Sequence, residues 1–266
     1  MLHIIENADD PRIAPYKALR ERDLVGREGS FIAEGKVVLT CLAKSNHFEA
    51  QSILLLENRV NGMQAVLDMF SPDVPVYVAN QSIMDQIAGF HVHRGVLATG
   101  RPRLSRDTLK IMKGLPEDCL AVIMSNISNH DNVGAIFRNA AAFGANAVLL
   151  DEQCCNPLYR KAIRVSVGGV LTVPWAYGVS FEEIAGELDR LGFQFAALSP
   201  SGKSDISALP KTGRRALVLG SEGHGLPPAV MDRLQTYRIP INSNFDSLNV
   251  ATASGIAMYM ASSHAR

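Results

Sequence analysis

A glycine-rich loop with two ionisable side chains ends one of the apolar runs of the sequence. Residues 219–226 read LGSEGHGL, at the end of the run RALVL and before PPAVMDRL. A strand, a glycine-rich loop and a helix start are the parts of a phosphate site, in which backbone N–H groups meet the anion. Glu222 would place a negative charge against that anion, and no Lys-Ser or Lys-Thr pair follows the last glycine. The loop therefore fits a neutral or positively charged ligand better, with a tight turn of positive-φ glycines as the alternative.

Three asparagines and an arginine form a second group of side chains suited to chemistry. Asn126, Asn129 and Asn132 follow the apolar run CLAVIMS, and Arg138 comes six residues after Asn132, among small apolar residues. The segment has no G-x-G, which a dinucleotide site would place there, but amides at the end of a strand lie where open α/β sheets bind ligands. Arg138 either pairs with a structural carboxylate or recognises a phosphate or carboxylate of a ligand, and both interpretations stay open.

The second half of the chain alternates strand-like and helix-like segments that would position these side chains. Apolar runs predict strands over residues 119–125, 145–150, 193–198, 215–220 and 238–241. Apolar residues at helical spacing predict helices over residues 132–144 and 248–263, the first ending at Gly144. This alternation is typical of a parallel sheet with helices on both faces, so the predicted fold class is α/β.

The first part of the chain has its own strand and helix pattern. Residues 31–45 predict a strand that turns at Gly35 into an amphipathic helix, and further strands are predicted over residues 51–57, 74–79 and 94–100. A polar stretch with two prolines and five basic side chains follows. We therefore divide the chain into a front domain (1–98), a basic linker (99–117) and a second domain (118–266). For the basic run, a solvated surface without a partner is the alternative.

Composition limits the partners and the compartment. The chain has 266 residues, 47% of them hydrophobic, and its 26 Lys+Arg balance 26 Asp+Glu. An anionic partner must therefore be bound by local patches rather than by an overall positive field. No run approaches the roughly 20 apolar residues of a membrane span, and the first residues do not resemble a signal peptide, so we expect a cytoplasmic protein without a membrane partner. The four cysteines form no C-x-x-C pair, from which we expect reduced thiols and no metal site.

Three polar, glycine-bearing segments occur in order through the second half of the chain. As an ordered set they resemble the three motifs of the SpoU (TrmH) family of RNA ribose 2′-O-methyltransferases, in the SPOUT superfamily, over residues 118–263. The first motif is matched by Asn132, Gly134, Arg138, Ala140, Phe143 and Gly144. The second motif is matched by Leu219, Gly220, Ser221, Glu222, Gly223, Gly225 and Leu226. The third motif is matched by Ile239, Pro240, Ser247, Leu248, Asn249 and Val250.

A further segment supports the resemblance, and one position departs from it. Residues 160–175 are similar to the family's Arg-x-Ser-x-Gly segment, through Arg164, Ser166 and Gly168. Early in the third motif the family commonly has a methionine and a glycine, where residues 242–244 of this chain read Asn-Ser-Asn. This difference affects the expected shape of one edge of the cofactor loop.

The resemblance implies a parallel-sheet catalytic domain with a trefoil knot, in which the knotted loops bind S-adenosylmethionine. The residues that it assigns to the cofactor are Leu219, Gly220, Glu222, Gly223, Ile239, Ile241, Leu248 and Asn249. Glycines would let the backbone approach this ligand closely, and its cationic sulfonium makes the carboxylate of Glu222 acceptable.

The resemblance also implies methyl transfer to a ribose 2′-hydroxyl. The residues that it assigns to catalysis are Arg138, Asn132, Glu222, Ser247 and Asn249. Arg138 would act on the hydroxyl, either as a general base or as a cation that orients the adjoining phosphate and stabilises alkoxide charge. A guanidinium is protonated far above neutral pH, which favours the second role. Asn132 is expected to orient Arg138 or the ribose, and Glu222 to pair with an arginine, with a subunit boundary as one place for that pair.

The residues at the start of the last helix have a second interpretation. Asp246 or Ser247 is well placed to cap this helix, and Asn249 is predicted to lie inside it. Under that interpretation Ser247 has a structural role only.

The expected partners are RNA and a second copy of the chain. The segments FIAEGKVVL and HRGVLATG resemble a small ribosomal-protein-like RNA-binding domain that often precedes the catalytic domain in this family. That domain and the neutral net charge favour structured rRNA over tRNA. The small-residue face of ATASGIAMYMA either contacts the second subunit of a homodimer or is buried within one subunit. Two other functions stay open: an RNA-binding or ribosome-assembly protein on an inactive methyltransferase scaffold, and a base methyltransferase of the same fold.

Overall fold

The chain folds into two compact units that are not continuous in sequence. The computed structural model describes residues 2–17, 29–88, 95–103, 108–221, 225–226 and 231–262. The first unit comprises Met1–Ser105 and Leu158–Thr172, and the second comprises Arg106–Pro157 and Val173–Arg266. Each unit contains its own sheet.

The first unit is built on a five-stranded mixed sheet. Its strands are β1 (Leu2–Ile5), β2 (Phe31–Glu34), β3 (Phe48–Leu56), β4 (Val76–Ala79) and β5 (Val96–Pro102). Its helices among the described residues are α1 (Ala14–Lys17), α2 (Lys36–Lys44), α3 (Val60–Leu67), α4 (Gln81–Ala88) and, from the later stretch, α7 (Arg160–Val165). The strand order is β1-β4-β3-β5-β2, with β5 antiparallel to both neighbours. The predicted turn from strand to helix at Gly35 is confirmed, with a φ of 96° that glycine adopts without strain.

The second unit is built on a seven-stranded sheet in which all pairs are parallel. Its strands are β6 (Cys119–Met124), β7 (Ala147–Asp151), β8 (Trp175–Val179), β9 (Gln194–Leu198), β10 (Ser204–Asp205), β11 (Arg214–Leu219) and β12 (Gln235–Arg238). Its helices include α5 (Thr108–Lys113), α6 (His130–Phe143), α8 (Phe181–Arg190) and α9 (Val250–Ala261). The predicted parallel α/β sheet is confirmed, although β8 and the two-residue β10 were not among the predicted strands. The strand predicted over residues 238–241 is wrong in its position, because β12 covers Gln235–Arg238.

The strand order of the second unit, β10-β12-β9-β11-β6-β7-β8, places the predicted motifs at one edge. Because the strands are parallel, the loops that follow β6, β11 and β12 all leave the sheet at its carboxyl edge. β6 and β11 are direct neighbours over their whole lengths, and β6 is buried throughout, as its continuous apolar sequence predicts for a covered parallel strand. On one face the core contains Met112, Ile184, Leu188 and Phe193.

The basic linker predicted over residues 99–117 is wrong at its start. Residues 99–102 continue β5, and Arg101 on this strand and Arg103 just after it both form ion pairs with Glu49 on β3. Residues 108–113 form α5, and Met112 on this helix packs into the core of the second unit.

The Arg-x-Ser-x-Gly segment was predicted within a continuous domain over residues 118–266, but it belongs to the first unit. Its helix α7 buries Ala162 and Ile163. A Cβ at Gly168 would lie 2.7 Å from the Cys41 Sγ atom, so only glycine allows this close approach to α2. The Ser45 hydroxyl donates a 2.8 Å hydrogen bond to the Leu171 carbonyl. Apolar burial and these contacts explain why the segment departs from the unit that flanks it in sequence.

No helix among the described residues is long and apolar enough to cross a membrane.

Candidate active site

A buried carboxylate holds the loop that follows β6. Asp151, the last residue of β7, accepts a 2.7 Å hydrogen bond from Ser125 Oγ. It also accepts bonds of 3.1 Å from the backbone N–H groups of Asn126, Gln153 and Cys154. Asn126 has a φ of 54°, which asparagine tolerates better than most residues. Asp151 thus fixes the backbone from which the exposed Asn126 side chain projects, at the carboxyl edge of the sheet.

The Cys154 thiol also holds the loop that follows β6. It donates to the Met124 carbonyl and accepts from the backbone N–H of Ile127, both at 3.3 Å. Burial raises the pKa of the Cys154 thiol well above its ordinary range, and it raises the pKa of Cys155 to about 11. Both thiols are therefore protonated at neutral pH. All four cysteines are unpaired, as expected from the sequence.

The first turn of α6 carries Asn132. The helix begins after Asn129, whose side chain accepts a 2.9 Å hydrogen bond from the backbone N–H of Asp131. Asn132 is buried, and its Oδ1 atom accepts a 2.9 Å hydrogen bond from Asn249 Nδ2. This bond joins the first motif directly to the third.

Asn249 has two structural roles at the start of α9. Its Oδ1 atom accepts hydrogen bonds from the backbone N–H groups of Ala251 and Thr252, at 2.9 and 3.2 Å, so Asn249 is the N-cap of the helix. The prediction that Asp246 or Ser247 caps this helix, with Asn249 inside it, is wrong. All three residue types can cap a helix, and only Asn249 also donates to Asn132.

The helices α6 and α9 pack closely along their polar contacts. Asn139 Nδ2 lies 2.8 Å from the Ala251 carbonyl and 3.0 Å from Ser254 Oγ. A Cβ at Gly255 would lie 3.1 Å from Asn139 Nδ2, which leaves little room for any side chain there. Ser254 is fully buried in this contact.

Arg138 is exposed on α6. Among the described residues its guanidinium forms no hydrogen bond or ion pair, so nothing there supports a structural carboxylate partner. Arg138 lies six positions after Asn132 in the helix, which places the two about 120° apart around the axis. The acceptor of Asn132 is bonded to Asn249, and the described residues show no hydrogen bond by which Asn132 would orient Arg138.

The loop after β11 is tightly closed on itself. The backbone N–H of Gly225 donates a 3.0 Å hydrogen bond to the Ser221 carbonyl, and Gly225 has a φ of 65°. A Cβ at Gly220 would lie 2.6 Å from the carbonyl carbon of Gly225, so glycine is required there. The buried Leu219 accepts a 2.9 Å bond from the backbone N–H of Ser125, which ties this loop to the one after β6.

Two expected site residues of this loop, Glu222 and Gly223, lie outside the described residues. Their assignments stay predictions.

The segment between β12 and α9 presents several exposed apolar side chains. Ile241 and Leu248 are 36% and 37% exposed, and Phe245 is 74% exposed. Ile239 is half-buried, and the Ser247 side chain is exposed. Exposed apolar side chains at the carboxyl edge of a parallel sheet are suited to contact with an aromatic or aliphatic ligand.

The structure thus brings the first and third motifs together and ties the second motif to the loop after β6. It links neither Arg138 nor Ser247 to another expected site residue within the described part of the chain. The sequence predictions missed Asp151 and Asn139. For Asp151, the available signal was its position at the end of an apolar run. For Asn139, the only signal was its spacing of seven residues from Asn132, which places both on one side of the helix.

Comparison with known proteins places this architecture in a family. Residues 119–259 match the family model described as the SpoU rRNA Methylase family. The chain belongs to the SpoU rRNA methylase family. It is thus a member of a family of RNA methyltransferases, and the resemblance inferred from the three motifs is confirmed.

Curated relatives of this SpoU family member span most of its length. It is 33% identical over 261 residues to an uncharacterised tRNA/rRNA methyltransferase of Mycobacterium bovis, covering 94% of this chain and 88% of that protein. It is 29% identical over 208 residues to the 23S rRNA (guanosine-2′-O-)-methyltransferase RlmB of Acinetobacter baylyi, covering 75% of this chain and 83% of that protein.

Solved structures have the same fold. The AdoMet-bound rRNA methyltransferase of Sinorhizobium meliloti matches with a TM-score of 0.82 at 23% identity, covering 98% of this chain and 97% of that one. The SpoU methyltransferase AviRb of Streptomyces viridochromogenes, in complex with AdoMet, matches with a TM-score of 0.82 at 21% identity, covering 95% and 97%. At these identities the likeness concerns the fold.

Proposed function

We propose that this SpoU family member transfers a methyl group from S-adenosylmethionine to a ribose 2′-hydroxyl of structured RNA, with rRNA favoured over tRNA. The observation that carries the proposal is the hydrogen bond from Asn249 to Asn132, which joins two motifs at the sheet edge where the glycine-rich loop emerges. The name of the A. baylyi relative supports a ribose acceptor in rRNA. The name of the M. bovis relative is compatible with either tRNA or rRNA.

The loops at this edge fit S-adenosylmethionine. The backbone around Gly220 is too compact for a side chain, and the exposed apolar surfaces of Ile241 and Leu248 suit an adenine ring. The residues that we propose to hold the cofactor are Leu219, Gly220, Glu222, Gly223, Ile239, Ile241, Leu248 and Asn249. When bound, the cofactor supplies a methyl group on a cationic sulfonium. The titles of the S. meliloti and S. viridochromogenes structures name AdoMet as bound, which supports this choice.

Arg138 is assigned to the acceptor ribose. Its exposed guanidinium has no partner among the described residues and is therefore available to RNA. As the ribose hydroxyl attacks, its oxygen loses a proton and gains negative character. A permanently protonated guanidinium stabilises that charge and orients the adjoining phosphate, and it is poorly suited to remove the proton itself.

Asn132 and Asn249 support this arrangement from within the protein, by holding the starts of α6 and α9 together. Ser247, whose side chain is exposed two residues before the cap, is proposed to contact the ribose or the cofactor. Glu222 is proposed to pair with an arginine, with the boundary between two subunits as one possible place.

The first unit is proposed to bind RNA. Arg101 and Arg103 keep 56% and 49% of their side chains exposed while both pair with Glu49, so this part of the sheet carries more positive than negative groups. A local surface of this kind suits a protein whose net charge is zero.

A trefoil knot and a homodimer complete the proposal. The bond between Asn249 and Asn132 holds the C-terminal segment against α6, as a chain tucked through a preceding loop would be held. The small-residue face of α9, including Ala251, Ser254 and Ala257, is buried within the second unit. The dimer contact is therefore assigned to the exposed side of this helix, where Tyr259 projects.

The proposal is tested by mapping 2′-O-methylation in rRNA and tRNA from cells with and without the gene. Loss of a 2′-O-methyl group at a defined rRNA nucleotide is the expected result. Loss of a base methyl group would favour the base methyltransferase, and an unchanged methylation map would favour the RNA-binding or assembly protein.

A further inference from the structure

Three residues of α6 lie on a single stripe that faces α9. Asn132, Asn139 and Phe143 are seven and four residues apart, which keeps them within about 40° of one another around the helix. Asn132 bonds to the cap residue Asn249, and Phe143 meets Tyr259 edge-to-face with ring centroids 6.0 Å apart. Asn139 lies between these two contacts, so it is placed to fix how α6 is rotated against α9.

The bonds of Asn139 are specific to a primary amide. One nitrogen donates to the Ala251 carbonyl and to Ser254 Oγ, at 2.8 and 3.0 Å, which uses both of its hydrogens. Ser254 in turn donates to the Ala251 carbonyl at 2.7 Å. Both acceptors belong to the first two turns of α9, beside the cap formed by Asn249. The amide therefore couples the rotation of α6 to the start of the third-motif helix.

We infer that Asn139 is a positioning residue for methyl transfer, which acts by fixing the direction in which Arg138 leaves α6. This inference rests on the proposed function of Arg138. Arg138 directly precedes Asn139 and therefore projects about 100° away from the stripe, towards solvent. Asn139 itself is turned into the contact with α9 and is not placed to touch RNA.

The expected size of the effect follows from helix geometry. A side chain about 6 Å from the helix axis moves by about 1 Å when the helix rotates by about 10°. A misplacement of about 1 Å in a reacting group can lower a rate by about a hundredfold. Loss of the Asn139 bonds should therefore reduce kcat at least tenfold, while the affinity for S-adenosylmethionine changes little because the partners of Asn139, Ala251 and Ser254, are not among the residues proposed to hold the cofactor.

The test uses the full chain and compares Asn139→Ala with Asn146→Ala as a matched control. Asn146 accepts a 2.9 Å bond from the backbone N–H of Leu120, at the amino end of β6, so its loss weakens the same unit away from the candidate site. We expect both variants to lower the Tm. Only Asn139→Ala should lower kcat, measured with S-adenosylmethionine and rRNA fragments at saturating concentrations, and it should leave the calorimetric Kd of S-adenosylmethionine within about twofold.

A double variant separates a role through Arg138 from general loosening. If Asn139 acts through Arg138, the variant Arg138→Ala/Asn139→Ala should be no slower than Arg138→Ala under single-turnover conditions. Ser254→Ala, which removes only one acceptor of Asn139, should show an intermediate loss of kcat, and it serves as the test if Asn139→Ala does not fold.

Two outcomes would overturn the inference. The first is a kcat within twofold of that of the natural protein in Asn139→Ala, or in Ser254→Ala where that variant replaces it. The second is a loss of rate in the double variant that equals the product of the two single losses. Full activity in Arg138→Ala is a different result, because it would contradict the proposed role of Arg138 itself. If Arg138→Ala loses activity but Asn139→Ala keeps it, the proposed role of Arg138 is supported and only the positioning role of Asn139 is contradicted.

Discussion

Asn249 uses opposite ends of one amide for two purposes. Its oxygen caps α9, and its nitrogen donates to the buried Asn132. The two roles differ in their chemistry, because a cap needs a short side chain with an oxygen, whereas the bond to Asn132 needs a donor that reaches α6. Substitutions can therefore separate helix stability from the geometry of the site.

Asn249→Ser should keep the cap and lose the bond to Asn132, and Asn249→Ala should lose both. We expect kcat to fall at least tenfold in both variants, because both release the third motif from the first. Thermal and urea unfolding should show about 1 kcal/mol less stability in Asn249→Ala than in Asn249→Ser. Full activity in Asn249→Ser would mean that the link to Asn132 is unnecessary for turnover.

Arg138→Ala should remove nearly all turnover and leave the Kd of S-adenosylmethionine within a few fold. Loss of a group that stabilises charge in the transition state typically costs about a hundredfold or more in rate. Arg138→Lys should restore little, because a point charge does not reproduce the planar fork of a guanidinium. Single-turnover methylation and calorimetry measure these two quantities, and an active alanine variant would refute the assignment.

Residue types and spacing drew attention to Asn132 and Arg138, and the family resemblance drew attention to Asn249, but neither signal showed which contacts these residues make. Asp246, Ser247 and Asn249 are all competent helix caps, and the observed cap, Asn249, has a partner 117 residues away that a linear pattern does not show. For the same reason Asp151 was missed, since its four donors come from two separate loops.

At the scale of elements, the loop after β11 depends on one glycine. Gly220→Ala would force a Cβ to within 2.6 Å of the Gly225 backbone, which cannot yield as a flexible side chain would. We expect the loop to open and the affinity for S-adenosylmethionine, measured by calorimetry, to fall at least tenfold. Gly186→Ala is the control, since a Cβ there meets nothing within 4 Å and alanine favours the helix α8. Unchanged affinity in Gly220→Ala would separate this loop from the cofactor.

The main strands and helices could be predicted because their signals are local. Continuous apolar runs identified the buried strands β6 and β11, and Gly144, with its φ of 72°, identified the end of α6. The linker was misplaced because a run of basic residues with prolines is typical of a linker, whereas Arg101 on β5 and Arg103 just after it both pair with Glu49 on β3. Cross-strand partners of this kind are not visible in a linear pattern.

At the scale of the whole molecule, the domains were misjudged because proximity in sequence was taken for proximity in space. Residues 158–172 lie between two stretches of the second unit, yet they pack into the first. A fragment containing only residues 118–266 would expose the buried Ala162 and Ile163, so functional tests belong to the full chain.

We expect the protein to sediment as a dimer at micromolar concentration. The small residues of α9 are covered within the second unit, whereas Tyr259 on the same helix is half-exposed. Tyr259→Glu should weaken the dimer by placing a charge in the contact, and it should also lower the Tm modestly because it removes the edge-to-face packing of Tyr259 on Phe143. Sedimentation of the natural protein as a monomer alone would contradict the dimer, and an unchanged dimer in Tyr259→Glu would place the contact elsewhere.

The most direct test of the central claim replaces the acceptor atom. Once the target nucleotide is mapped, its 2′-deoxy analogue is introduced into an otherwise unchanged RNA, and methyl incorporation from S-adenosylmethionine is measured with binding as the control. We predict that incorporation is abolished while binding weakens only modestly, because most contacts are made with neighbouring phosphates and bases. Continued incorporation, with the methyl group found on the base after nucleoside digestion, would contradict ribose methylation.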